Sequence, residues 1–224
     1  MGLRYERNGS NFDRAVGFFD AVYGFALTLL VTTIDISAHS SWRSVNSLIA
    51  TNGSQLLSFL ISFIVIVSFW RRNHALVARF TALDSVTVTA NIVIIGFIIF
   101  LPFTTEAIGD PALQDLALPT ALYAFNVGVA VLASIVLYQL ALRRGLVEDE
   151  DPAPARKAQL MDSLLVPLVM FASIPVTYLG VAVWGDSSAG KYFWLSLLVL
   201  GPISGRYADR VTRRARAKDP AVEG

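Results

Sequence analysis

The stretch from Arg14 to Ile36, R-A-V-G-F-F-D-A-V-Y-G-F-A-L-T-L-L-V-T-T-I-D-I, decides how the rest of this chain is read. It carries no charge between Ala21 and Ile34. At a rise of about 1.5 Å per residue, the run from Phe18 to Ile34 reaches most of the way across a bilayer core of roughly 30 Å. Arg14 and Asp20 stand at its head. Ionisable groups are costly in hydrocarbon, so they pair, face protein or line water, and by default they mark a functional site.

The surrounding sequence fits a compact membrane protein. Of 224 residues, 54% are hydrophobic and only 16% charged, which excludes an ordinary soluble domain and a disordered chain. There is no cysteine, so disulfides and thiolate chemistry are excluded while the redox compartment stays open. The two histidines, His39 and His74, do not make a metal cluster. Residues 1–13 are polar and mixed in charge, unlike a signal peptide, so the first apolar segment reads as a permanent span. Hydrophobic runs mark an all-α protein with six transmembrane helices at about 18–36, 47–71, 86–104, 117–142, 162–184 and 190–205, forming one transmembrane domain over residues 1–224. The last is short, and Gly201-Pro202 interrupts it.

Basic residues set the orientation. Arg4, Arg7 and Arg14 precede the first span; Arg71, Arg72 and Arg79 follow the second; Arg143, Arg144, Arg156 and Lys157 follow the fourth; Arg206, Arg210, Arg213, Arg214, Arg216 and Lys218 follow the sixth. The alternate connections carry only Arg43 and Lys191. By the positive-inside rule both termini are cytoplasmic. The acidic connector from Glu148 to Pro154 reads as a solvated linker, and the basic tail from Arg206 to Lys218 as a topology signal or a contact with anionic lipid rather than with nucleic acid. No six-span unit is repeated, so a pore requires either an oligomer or a cavity within one chain. Soluble-enzyme motifs are missing, and the chain is expected not to be an enzyme. The filter sequence T-V-G-Y-G is also missing, so any ion selectivity has to come from side chains on helices.

Three pieces of sequence together resemble the transmembrane protein 175 family, the lysosomal-type potassium channels and their single-repeat prokaryotic homologues. The first is Arg14, Phe18, Phe19 and Asp20, which fits R-x-x-x-F-[S]-D at the head of a first span, with Phe19 where the family usually has Ser. The second is Trp70 followed four residues later by His74, a spacing that puts both on one helix face. The third is Asn91 and the Leu101-Pro102-Phe103-Thr104 end of the third span. The resemblance implies a homotetramer whose first spans surround a central pore. It further implies that Phe25, Leu29 and Thr32 form the constriction and that Thr28 supplies a threonine ring. Phe25 stands where Ile or Leu is usual, and Thr32 where Leu is usual. At about 100° per residue, positions 21, 25, 28, 29 and 32 share a face, so geometry permits this arrangement. Read without the resemblance, Phe25 and Leu29 face lipid or another helix, and Thr28 and Thr32 bond back to their own helix.

Because the first two spans are antiparallel neighbours, Arg14 and Asp20 are expected at the depth of Trp70 and His74, in a structural network that also includes Phe18. The implied function is passive, potassium-preferring cation conduction in a multi-pass cell membrane, in a prokaryote the plasma membrane. It needs no cofactor or bound metal beyond the permeating potassium, and its partners are further copies of the chain and the bilayer. The competing reading is a secondary or proton-coupled transporter, which calls for a central carboxylate or broken helices. Asp20, Asp35 and Asp162 lie near span ends, while Pro167 and Pro175 offer possible breaks in the fifth span.

Overall fold

The computed structural model describes residues 4–35, 42–147 and 151–217, most of them helical. Ile36, His39, the acidic residues 148–150 and Lys218 lie outside the described residues. A short strand β1 (Arg4–Glu6) leads into α1 (Ser10–Leu30), which a 3-10 turn extends over Val31–Thr33. Then come α2 (Val45–Val77), strand β2 (Ala82–Asp84), α3 (Ser85–Gly109), α4 (Ala117–Arg143), α5 (Ala153–Trp184), α6 (Ser188–Trp194) and α7 (Ser196–Arg216).

Helix ends follow local chemistry. The Ser44 hydroxyl accepts from the Ser47 N–H at the start of α2, and Asp84 and Thr87 form a reciprocal capping box at the start of α3. Helix α5 stops at Gly185, whose φ of +71° suits a residue without Cβ.

Five helices are long and apolar enough to cross a membrane, α1 to α5, with mean hydropathy between 1.7 and 2.3. The chain is therefore a multi-pass membrane protein. The last apolar stretch is divided between α6 and the first half of α7. Gly201-Pro202 does not end it: α7 continues through Pro202 to Arg216. Likewise α5 runs unbroken through Pro167 and Pro175, so the breaks that a transporter reading looks for are absent from that helix.

Helix α3 holds the bundle together, touching α1, α2 and α4; α5 lies on α4, and α6 and α7 lie on α5. Its neighbours close over Ile94, Ile98 and Leu101, with Phe19, Leu30, Ile66 and Tyr123 in the same core. Lipid tails are as apolar as these side chains, so close packing and interhelical hydrogen bonds, not release from water, hold such helices together. Thr105 donates to Ser62 at 2.7 Å, and Ser62 meets the Tyr123 hydroxyl at 3.0 Å, tying α2, α3 and α4. Asn91 donates to Asn73 at 3.1 Å, and the Trp194 indole donates to Ser173 at 2.8 Å.

The two ends of the bundle differ. At one end β1 pairs antiparallel with β2, Arg7 donates to the Phe80 carbonyl at 3.0 Å, and the Thr81 N–H donates to the Leu146 carbonyl at 2.9 Å. Arg144 pairs with Asp84 at this end, and Arg216 with Asp151 at 2.7 Å. Partial burial pushes the Asp84 carboxyl up, but hydrogen bonds from Thr87 and the Arg144 guanidinium outweigh it and hold it below the usual carboxylate range. Asp151 is held down in the same way, against its burial, by Arg216 and Gln159. At the other end Asn52 donates to the Asp35 carbonyl at 2.7 Å, and Lys191 donates to the Ile108 carbonyl at 2.9 Å. Residues from the four clusters of basic side chains thus gather at one end.

Candidate functional site

Helix α1 has two unlike sides. Phe12, Phe19, Tyr23, Ala26, Leu30 and Thr33 are buried against the bundle, at the three- and four-residue spacing of a helix face. The opposite side presents Arg14, Gly17, Phe18, Ala21, Gly24, Phe25, Thr28, Val31 and Thr32, all exposed. Phe25 is 61% exposed although it belongs to an apolar span. Three of the four residues expected to line a pore, Phe25, Thr28 and Thr32, fall on this uncovered side, and Leu29 lies half-buried at its margin. Phe25 and Leu29 are about 6 Å apart along the axis. Val31, Gly17 and Gly24 share the face and were not singled out from sequence. At Gly17 and Gly24 a Cβ would meet no atom within 4 Å, so the surface there is shallow.

The hydroxyls on this face have a defined orientation. Thr28 donates to the Phe25 carbonyl at 2.8 Å, and Thr32 to the Leu29 carbonyl at 2.7 Å. This is the back-bonding that a lipid-facing threonine would show. It also commits each proton to the helix, leaving oxygen lone pairs as the outward-facing group, and a lone pair is what a cation accepts in place of water.

The second group of residues meets where α1 crosses α2. The Trp70 indole donates to an Asp20 carboxylate oxygen at 3.0 Å, and its ring lies 5.8 Å from that of His74. Phe18 meets Phe19 edge-on at 6.2 Å, but itself faces outward. Arg14 is exposed on the outward side, and among the described residues no ion pair joins it to Asp20. The helix explains why: six residues turn the direction by about 240°, so Arg14 and Asp20 leave α1 on different sides. The structure therefore brings together Asp20, Trp70 and His74, and leaves Arg14 and Phe18 with the uncovered face.

Asn91, picked out in sequence, is buried and bonded to Asn73, which was overlooked although it adjoins His74. A polar side chain inside an apolar span was the available signal, and Ser62, Thr105 and Ser173 carried it too. Among the described residues no three His, Asp or Glu side chains come together as a metal site. At Asp35 it is the backbone carbonyl that accepts from Asn52.

The chain is similar to known proteins. Residues 14–102 match the family described as endosomal/lysosomal potassium channel TMEM175. A potassium channel of Chryseobacterium sp. (strain P1-3) is 21% identical over 84% of this chain and 92% of its own length. A potassium channel of Streptomyces collinus is 24% identical over 73% of this chain and 84% of its own. The fold resembles the crystal structure of a lysosomal potassium-selective channel TMEM175 homolog from Chamaesiphon minutus, with a TM-score of 0.62 and 20% identity over 84% of this chain and 98% of that one. The matched segment holds the Arg14-to-Asp20 motif, most of α1 and the Trp70–His74 pair, and over these residues the chain is similar to the endosomal/lysosomal potassium channel TMEM175 family.

Proposed function

We propose that the chain assembles as a homotetrameric, potassium-preferring cation channel whose α1 helices surround the ion path. The reading is supported by the uncovered side of α1. A helix packed on one side and bare on the other, with Phe25, Thr28 and Thr32 in line on the bare side, is suited to face its own copies across an axis. A ring of Phe25 flanked by Leu29 narrows the path with groups that offer no hydrogen bonds, so water and ions leave it unless it widens. Thr28 and Thr32 then present hydroxyl oxygens as partial substitutes for a hydration shell. That exchange favours a cation that gives up its water easily. Potassium is the cargo, and the reading requires no resident cofactor.

The sixth crossing belongs to the same proposal. Among the described residues β1 and Arg216 lie at the same end of the bundle, which supports an even number of traverses between them. Helix α6 with the start of α7 supplies the sixth. Together with the gathered arginines this supports a reading with both termini on the cytoplasmic side of a cell membrane, the plasma membrane in a prokaryote.

The test is potassium flux from liposomes holding the purified chain, with Thr28→Ala and Phe25→Ala beside it and sodium as the competing ion. Flux that changes with these substitutions supports the reading; absence of flux from folded protein, or flux indifferent to both, overturns it. A transporter would instead show saturable, gradient-coupled flux, and the unbroken α5 lends it no support.

A further inference from the structure

We infer that the groove between α2, α4 and α5 at the arginine-rich end is a binding site for the head group of an anionic membrane phospholipid. A cavity of about 290 Å³ opens there, and Arg72, Arg79 and Arg156 line it together with Gln139 and Ser163. Beside it a second hollow of about 400 Å³ shares Arg156 and Gln139 and adds Arg143 and Lys157. Five cationic side chains thus converge on one place, and neither lining contains a carboxylate. Asp151 stands at the rim, where it accepts from Gln159 at 3.1 Å and Arg216 at 2.7 Å and also feels the charge of Arg79, so it offsets part of the positive charge of the groove.

The walls are amphiphilic in the way a phospholipid is. Leu76, Val131, Ile135 and Leu160 supply apolar surface from helices that are apolar enough to span the bilayer, and the arginines lie among them. Arg72 is already oriented by a hydrogen bond to Ser163 at 3.2 Å, which joins α2 to α5 across the groove. Arg79 lies over the Tyr138 ring, 5.7 Å from its centre. Cationic groups held in this manner attract a phosphate chiefly through their charge. Basic pockets between spans on the cytoplasmic side are suited to phosphate-bearing head groups, whereas a soluble anion has no use for the apolar walls. The occupant is therefore a lipid whose phosphate meets Arg72, Arg79 and Arg156 and whose chains continue into the bilayer. The site fastens α2 to α5, and it does not depend on whether the chain conducts.

Native mass spectrometry of the full chain in a nonionic detergent tests this, titrated with phosphatidylglycerol, with phosphatidylcholine of the same acyl chains, and with glycerol 3-phosphate. Phosphatidylglycerol should be retained at least tenfold more tightly than phosphatidylcholine, and glycerol 3-phosphate should not displace it. The pair Arg72→Gln and Arg156→Gln should weaken phosphatidylglycerol about fivefold per arginine, roughly 25-fold together. Arg206→Gln with Arg210→Gln, on α7 away from the groove, should leave it within about twofold. If the glutamine pair does not fold, Arg72→Lys with Arg156→Lys keeps the charge and should keep most of the preference. Equal retention of the two lipids, unchanged binding by the glutamine pair, loss of the preference in the lysine pair, or displacement by glycerol 3-phosphate overturns the proposal, the last by showing a site for free phosphate.

Discussion

Two phenylalanines six residues apart on α1 offer a direct comparison of its two sides. Phe19 is 1% exposed and Phe25 is 61% exposed. Truncating a fully buried Phe to Ala costs about 3–5 kcal/mol, from lost contacts and the cavity left behind. Phe19→Ala should fall in that range. Scaled by the covered two-fifths of its surface, Phe25→Ala should cost only about 1–2 kcal/mol, and less where lipid or water fills the space. The effect on conduction should run the other way. If four Phe25 rings form the dewetted constriction, replacing them with methyl groups widens it, and each 1.4 kcal/mol taken off the barrier raises flux about tenfold. Unfolding in detergent micelles at fixed protein concentration measures the first quantity, and potassium efflux from liposomes the second. Phe25→Ala should therefore give a protein destabilised by no more than about 1–2 kcal/mol that conducts about tenfold faster or more. Unaltered flux from folded Phe25→Ala protein would refute the reasoning, as would a stability loss equal to that of Phe19→Ala.

Thr28→Val keeps the shape but removes the outward oxygen, so the preference for potassium over sodium should fall while melting shifts by no more than the loss of one local hydrogen bond, about 1 kcal/mol; ion-substitution flux assays check it. Gly190→Ala introduces a Cβ that would lie 1.8 Å from the Thr177 hydroxyl oxygen, so it should destabilise the α5–α6 contact by about 1–3 kcal/mol, and adding Thr177→Ala should restore much of the lost melting temperature. Trp70→Phe removes the indole N–H that meets Asp20 at 3.0 Å and should cost about 1 kcal/mol in the same unfolding assay. The Asp84 carboxyl is held below its ordinary range, so its link to Arg144 contributes above the unfolded carboxylate pKa of about 3.9 and is lost as pH falls through the lower folded value. Stability measured between about pH 5 and pH 2 should therefore decline more steeply in the native protein than in Asp84→Asn.

How much of this was legible in the sequence depended on the kind of signal. The apolar runs of α1 to α5 were plain because each is long, and the match of Trp70 to His74 was plain because four residues return a helix to the same face. The α7 boundary was not, because Pro202 reads as a stop although a helix in membrane tolerates proline when its neighbours take up the freed carbonyl. Arg14 was expected in one network with Asp20, Trp70 and His74 because all four lie at one depth, but depth does not fix direction, and the helical turn separates Arg14 from Asp20. The Trp70-to-Asp20 hydrogen bond required knowing which edge of α2 meets α1. The strands β1 and β2 left almost no trace, since three residues each are too few for alternation to register, and their pairing spans most of the first eighty residues.

Those two strands bear directly on α1. A helix that presents one side to a shared axis must be held against rotation, because a slip of one residue turns every side chain by about 100° and would carry Phe25 and Thr28 toward the bundle. Packing alone resists this weakly in lipid, where an apolar face loses little by turning outward. Three contacts outside the uncovered face do the holding. Strand β1 is fixed on β2 in the register Arg4 to Asp84, Tyr5 to Leu83 and Glu6 to Ala82, and the Gly9 N–H closes a tight turn onto the Glu6 carbonyl at 2.9 Å just before α1 begins. About three turns of helix further, Trp70 holds Asp20 from α2. Beyond the last turn, Asn52 of α2 holds the Asp35 carbonyl. With a restraint at each end and one between, the azimuth of α1 is set by polar groups that never enter the proposed path. Substitutions on the uncovered face can therefore alter permeation without re-aiming the helix, whereas loss of the β1 pairing should disturb which residues face the axis.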